Sequence, residues 1–149
     1  MTAPPWLEFS TRLRPYPKGS LRFVTRNYVK ESNPMTKPTM DALALQLRAA
    51  KAGHARRQEF PLTCGVELRV DFFFARSDYP WAGPLDRPTT LDTGDVDKLL
   101  RLVCDALTKG GVVKDDSLVV DVLGSAWFAD RDGMRIRVGP ARAGDGSRP

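Results

Sequence analysis

Three carboxylates stand in a pattern that can do chemistry. Asp95 and Asp97 occur in Gly94-Asp95-Val96-Asp97-Lys98-Leu99-Leu100-Arg101, and Asp116 in Val113-Lys114-Asp115-Asp116-Ser117. The first two sit where a turn enters an expected helix; the third follows that helix and precedes an expected strand. Oxygen-only sets of this kind suit Mg²⁺ or Mn²⁺, hard cations that keep positions open for water and substrate phosphate. The matching chemistry is phosphodiester hydrolysis, in which a cation-bound water supplies hydroxide near neutral pH and the metal charge stabilises the transition state and the leaving oxygen. Arg101, four residues after Asp97, projects from the same helical face, where it could contact a scissile phosphate or simply pair with Asp97.

Each acid also has an ordinary explanation. Aspartate at a helix N-terminus accepts backbone N–H bonds and complements the helix dipole, and an Asp-Asp pair before a strand is a common turn. Asp121, inside an apolar strand, reads as solvent-facing or ion-paired. The acids become a constellation only if the helix runs back across the sheet so that the Asp-x-Asp and Asp-Asp segments converge. Several carboxylates would then crowd together, and a divalent cation would relieve their repulsion.

The elements that must position these residues follow from periodicity. Cys64 to Phe74 alternates, with Val66, Leu68, Val70, Phe72 and Phe74 on one face and Glu67, Arg69 and Asp71 on the other, which predicts a half-buried strand. Asp97 to Lys109 is a helix with a buried stripe of Leu99, Leu100, Val103, Ala106 and Leu107, stopped by Gly110-Gly111. A second helix runs from Thr39, placed to cap it, to Gly53. Leu7 to Leu13 reads as an edge strand, and Leu21 to Thr25 with Tyr28 to Lys30 as a basic hairpin turning at Arg26-Asn27. Leu118 to Gly124 is an apolar strand continued by Trp127 and Phe128, and Asp130-Arg131-Asp132-Gly133 turns into a last strand at Met134 to Val138. Residues 75 to 94 form a long Pro- and Gly-rich loop of a kind often functional. The fold class is α+β: one compact domain over residues 1–139, a mixed or mainly antiparallel sheet covered by two principal helices, and a disordered tail at 140–149.

Composition narrows the function classes. The chain of 149 residues, 42% hydrophobic, is long enough for one real core. It has no apolar run able to span a bilayer, and Met-Thr-Ala-Pro-Pro-Trp lacks the apolar core of a secretory signal, so a soluble cytoplasmic protein is expected. A single histidine, His54, excludes a hydrolase triad, a histidine-metal nuclease site and a zinc centre of histidine and cysteine; it reads as a surface or capping residue. Cys64 and Cys104 are too far apart for a metal or redox motif and read as reduced core residues. The net charge of +5 favours anionic partners. Lys18, Arg22, Arg26 and Lys30 recur every four residues, followed by Arg48, Lys51, Arg56 and Arg57; they form either a phosphate-tracking surface or a solvated face.

The segment Asp95 to Val138, with Asp-Val-Asp-Lys-Leu, Asp-Ala-Leu and Asp-Asp-Ser at these spacings, resembles the RusA-type Holliday junction resolvases. Pro17-Lys18-Gly19-Ser20-Leu21-Arg22-Phe23 is similar to that family's N-terminal basic segment. The resemblance implies a RusA-like fold and a homodimeric, Mg²⁺-dependent endonuclease that places symmetric nicks in opposing strands of a four-way junction. It puts the metal-binding and catalytic acids at Asp95, Asp97 and Asp116, with Arg101 as the catalytic cation and Lys18, Arg22, Lys98 and Arg101 as DNA contacts. The family often has asparagine at the position of Lys98 and lysine at that of Arg101. An arginine fork is not equivalent to an ammonium near a leaving oxygen, and Lys98 could supply the missing ammonium. Tyr79 or Trp81 could stack on a splayed base or anchor the loop.

Three other readings compete. A branched-DNA-binding protein with weak or no cleavage would keep the fold and the basic surface. A receiver-like phosphoryl-transfer protein would need a strand-helix alternation with a parallel sheet, whereas hairpin signals favour antiparallel pairing. A flap or single-strand nuclease would share the chemistry and differ only in substrate.

Overall fold

The computed structural model describes residues 7–18, 21–25, 28–31, 33–89 and 93–144, with the backbone alone for 21–25 and 28–31. In chain order the elements are β1 (Leu7–Thr11), β2 (Leu21–Thr25), β3 (Tyr28–Glu31), α1 (Thr36–Ala52), β4 (Val66–Ala75), α2 (Val96–Lys109), β5 (Val119–Ala129) and β6 (Gly133–Pro140). Single 3₁₀ turns lie at Arg57–Glu59, Arg76–Asp78 and Asp116–Leu118. The main sheet has the order β1-β6-β4-β5, and β2 and β3 form a separate antiparallel ribbon. This is a mixed α+β domain with two principal helices, as the periodicity predicts.

The sheet pairs β6 antiparallel to both β1 and β4, but β4 and β5 run parallel. Parallel neighbours need a crossover, and α2 is the helix in that connection. It therefore does run back across the sheet, and it does so between two parallel strands. Gly124 marks where α2 crosses β5: a Cβ there would lie 2.9 Å from both Leu100 Cδ1 and Val96 Cγ1.

Alternation in β4 buries Val66, Leu68, Val70, Phe72 and Phe74, and these meet Met134, Ile136 and Val138 of β6. Leu43, Ala44 and Leu47 of α1 and Leu99, Leu102, Val103, Ala106 and Leu107 of α2 complete one core. Burial of each such large aliphatic side chain contributes roughly 1.5–3 kcal/mol. The stripe on α2 differs by one position from the sequence pattern: Leu102 is in the core, while Leu100 is half-buried over β5. Among the described residues no helix is long and apolar enough to cross a membrane.

Several sequence expectations are corrected. Helix α1 begins at Thr36, so Thr39 is buried inside it rather than capping it. A helix can start earlier here because the Pro38 ring falls in the first turn, where no intrahelical N–H partner is lost. Cys64 is exposed, two residues before β4 begins, while Cys104 is half-buried. The apolar strand β5 is an edge strand, leaving Val120 68% and Leu123 56% exposed. The last strand continues to Pro140, and the tail beyond Gly144 lies outside the described residues, as do Arg26-Asn27 of the ribbon turn. Arg48 donates to the Lys109 carbonyl at 3.0 Å and Lys51 to that of Gly111 at 3.3 Å, so these cations hold the C-terminus of α2 against α1. The His54 Nδ1 accepts the Arg56 N–H at 3.0 Å, a local capping role.

Candidate active site

Two sequence-distant segments build the entrance to α2. Gly94 has φ +92°, in the left-handed region, and a Cβ on it would stand 2.9 Å from Pro17 Cγ. Glycine is thus required both by the turn and by close approach. The next residue, Lys18, donates its backbone N–H to the Lys98 carbonyl in the first turn of α2 at 3.0 Å, and Thr36 Oγ1 donates to the Pro17 carbonyl at 3.1 Å. The Pro17-Lys18 and Gly94-Asp95 motifs, separate in the sequence, are one structural unit.

The acids divide their work. Asp95 occupies the N-cap position of α2, yet its side chain makes no capping hydrogen bond and instead pairs with Lys98 at 3.8 Å. Asp97 is exposed in the first turn and has no hydrogen bond or ion pair among the described residues; nor does Arg101, so the salt bridge between them is not made. In the Asp-Asp pair it is Asp115 that caps: its Oδ1 accepts the Ser117 N–H at 2.8 Å. That hydrogen bond, with a smaller contribution from the Ser117 hydroxyl, holds the Asp115 carboxyl below the usual carboxylate range. Asp116 is left to face the adjoining cleft.

That cleft, of about 510 Å³, runs along the outer side of α2 above the edge of the sheet. Its charged lining is Lys18, Asp97, Arg101, Asp105 and Asp116, over an apolar floor of Leu100, Cys104, Val119 and Val122. The Lys18 ammonium is ion-paired with the Asp105 carboxylate. Burial, and then the negative charges of Asp116 and Asp105, push the Cys104 thiol up to about 11. A thiol so raised makes Cys104 a packing residue rather than a nucleophile.

The crossover therefore brings Asp97 and Asp116 to the lining of one cleft. Among the described residues no three His, Cys, Asp or Glu side chains are gathered as a metal-holding set. The donor chemistry still suits Mg²⁺, which is held by one or two carboxylates plus water and substrate phosphate rather than by a closed cage.

Of the other sequence candidates, Lys98 serves Asp95, and the Arg22 side chain lies outside the described residues. Tyr79 is buried, tilted against Phe128 with ring centroids 5.1 Å apart, and anchors the loop, whereas Trp81 is 69% exposed. Asp105 is a cleft residue that the candidate list lacks. The signal for it was present: Asp97, Arg101 and Asp105 recur every four residues and share one face of α2.

A compact α+β domain with an acid-lined, cation-flanked cleft beside a crossover helix defines a class suited to handling phosphate esters. The chain belongs to the endodeoxyribonuclease RusA family, whose model matches residues 13–139. That match spans both motifs of the entrance unit and every residue of the cleft. It brings, at the level of the family, Holliday junction resolvases: nucleases that act on branched DNA and are typically Mg²⁺-dependent. Among the curated proteins none matches the chain.

Proposed function

We propose that this protein is a Mg²⁺-dependent endonuclease that binds four-way DNA junctions in the cytoplasm as a homodimer and resolves them by paired symmetric nicks. The observation that carries the reading is the cleft itself, where Asp97 and Arg101 have no partner among the described residues and stand beside Asp116 in a chain of the RusA family. Unsatisfied charge of both signs in one cleft suits a ligand that brings both, and a phosphodiester with its counter-cation does so. Asp97 and Asp116, with Asp95 once released from Lys98, would hold Mg²⁺, which supplies Lewis-acid charge and an activated water. Arg101 binds and orients the scissile phosphate through its planar fork. A homodimer suits the approximate two-fold symmetry of the junction, which needs two sites related by a similar axis.

The test is cleavage of a labelled synthetic four-way junction, beside matched duplex and flap substrates, in Mg²⁺ and in EDTA. The expected result is paired nicks at the junction in Mg²⁺ alone, lost in Asp97→Asn while junction binding survives. Equal cleavage of the flap would make the protein a broader nuclease of the same chemistry. A second reading, a branched-DNA-binding protein with little cleavage, draws support from the arginine at position 101, whose planar fork is not equivalent to an ammonium near a leaving oxygen. Tight junction binding with no nicking in Mg²⁺ or Mn²⁺ would select it.

A further inference from the structure

Asp105 has no role in the reading above, and Lys18 enters only as a DNA contact that the resemblance implies, yet the two share the lining of the cleft. The N-terminal strap is fixed at three points: the Lys18 N–H on the Lys98 carbonyl, the Pro17 carbonyl on Thr36 Oγ1, and the Pro17 ring against Gly94. From that anchor the Lys18 side chain extends along α2 to Asp105, one turn beyond Arg101. A second cavity, lined by Met40, Thr108, Lys109 and Asp115, lies on the far side, and Lys18, Asp105 and Asp116 border both spaces. The ion pair is therefore a bridge between the two halves of one trough. An ammonium has three donors, and Asp105 is its one carboxylate partner among the described residues.

We infer that Asp105 is the positioning residue of Lys18, holding that expected DNA-contacting ammonium between Arg101 and Asp116, where the backbone of bound DNA passes. This rests on the proposed junction cleavage and deepens it. A lysine is a flexible point charge that loses rotamer freedom when fixed, and a carboxylate on the helix removes that freedom before the substrate arrives. Asp105 is itself half-buried and paired, so it acts through Lys18 rather than on the DNA.

The experiment compares the native protein with Lys18→Ala, Asp105→Asn, Asp105→Glu and the Lys18→Ala/Asp105→Asn double variant. Junction binding is measured in EDTA across a salt series, and the cleavage rate in Mg²⁺ at saturating junction. Lys18→Ala should lower the salt-dependence slope by about one and the rate by about 100-fold, as for loss of one positioned donor. Asp105→Asn should keep the native slope, because the ammonium is still present, and yet slow cleavage by about tenfold, a smaller loss than removing the donor itself. Asp105→Glu should restore part of that rate. The double variant should be no slower than Lys18→Ala alone, because the two residues act as one unit.

Multiplying losses in the double variant, or a raised Mg²⁺ requirement in Asp105→Asn, would overturn the assignment, the latter by making Asp105 a metal ligand. Unchanged rates in both single variants of a native protein that cleaves junctions would overturn it while leaving the proposed function standing. A native protein that binds no junction removes both.

Discussion

The cleft and the open face of the sheet use the same residue types to opposite ends. On the open face every acid of the central strands is answered. Asp71 accepts the Trp127 Nε1–H at 2.9 Å and pairs with Arg135 at 3.1 Å, Glu67 pairs with Arg69 at 3.5 Å, and Glu8 of β1 pairs with Arg137 at 3.1 Å. Arg87 lies over the Trp127 ring, 3.8 Å from its centroid, and donates to the Ala126 carbonyl at 3.1 Å, covering part of the edge of β5. On the other face of the sheet, beside α2, Asp97 and Arg101 have no partner among the described residues and stand a single turn apart. Matched charges hold a surface together and contribute little else; unmatched ones beside an apolar floor are what the proposed site is built from.

The largest way to break this contrast is to remove an unmatched acid. Asp116→Asn is expected to cut junction cleavage by about 100- to 1,000-fold, the scale of losing a transition-state electrostatic contact, with junction binding retained in a gel-shift assay. Full activity in that variant would return Asp116 to the role of an ordinary turn residue. Gly94→Ala attacks the scaffold instead: a left-handed φ and a Cβ pressed on Pro17 should cost about 1–3 kcal/mol. For a chain of this size that lowers the melting temperature by about 2–4 °C per kcal/mol, and cleavage should fall with it because the strap carries Lys18. A thermal scan showing no shift would mean that the strap is not seated on the turn.

Cys104 reports on the cleft without any catalysis. Its thiol is raised, so the folded state holds the proton more tightly than the unfolded chain does. The associated stability is whole below the ordinary value of 9.0 and is lost as pH climbs through about 11. In a Cys64→Ser background, which removes the exposed thiol, alkylation should stay slow at pH 9 and accelerate toward pH 11. Asp116→Asn, by deleting one of the two charges that raise the thiol, should speed alkylation at pH 9. Equal rates would place Asp116 away from Cys104. The smallest effect belongs to the matched face: Asp71→Asn should cost about 1 kcal/mol in urea unfolding and leave the cleavage rate unchanged. A large rate loss there would bring the open face into the site and dissolve the contrast.

Local patterns carried well into the structure where one period dominated. The alternation of Val66 to Phe74 appears as β4 with those residues buried, and the three- and four-residue steps of α2 appear as its core face, with Leu102 taking the place given to Leu100. Both strands of the basic ribbon lie where hydrophobic and turn residues put them. An apolar run by itself names no neighbour: Leu118 to Gly124 reads as an apolar strand, and only the sheet order shows that β5 is the last strand of the sheet. Residue type alone also could not divide Asp115 from Asp116, since either can accept the Ser117 N–H.

What the sequence determined by itself is chemical and short-range: oxygen-only acids, a single histidine, a helix between an Asp-x-Asp and an Asp-Asp, and a basic N-terminal motif of RusA type. Those properties belong to residue identity and to spacings of a few residues, where backbone geometry is fixed by the helix or strand period. The tertiary structure alone decided that the crossover brings Asp97 and Asp116 to one cleft, and that Lys18 reaches Asp105 across 87 residues of chain. It also decided that Pro17 presses on Gly94. Contacts of that separation depend on how the strands order themselves and on which face the helix covers. Burial of the whole core sets that order, and no local pattern encodes it.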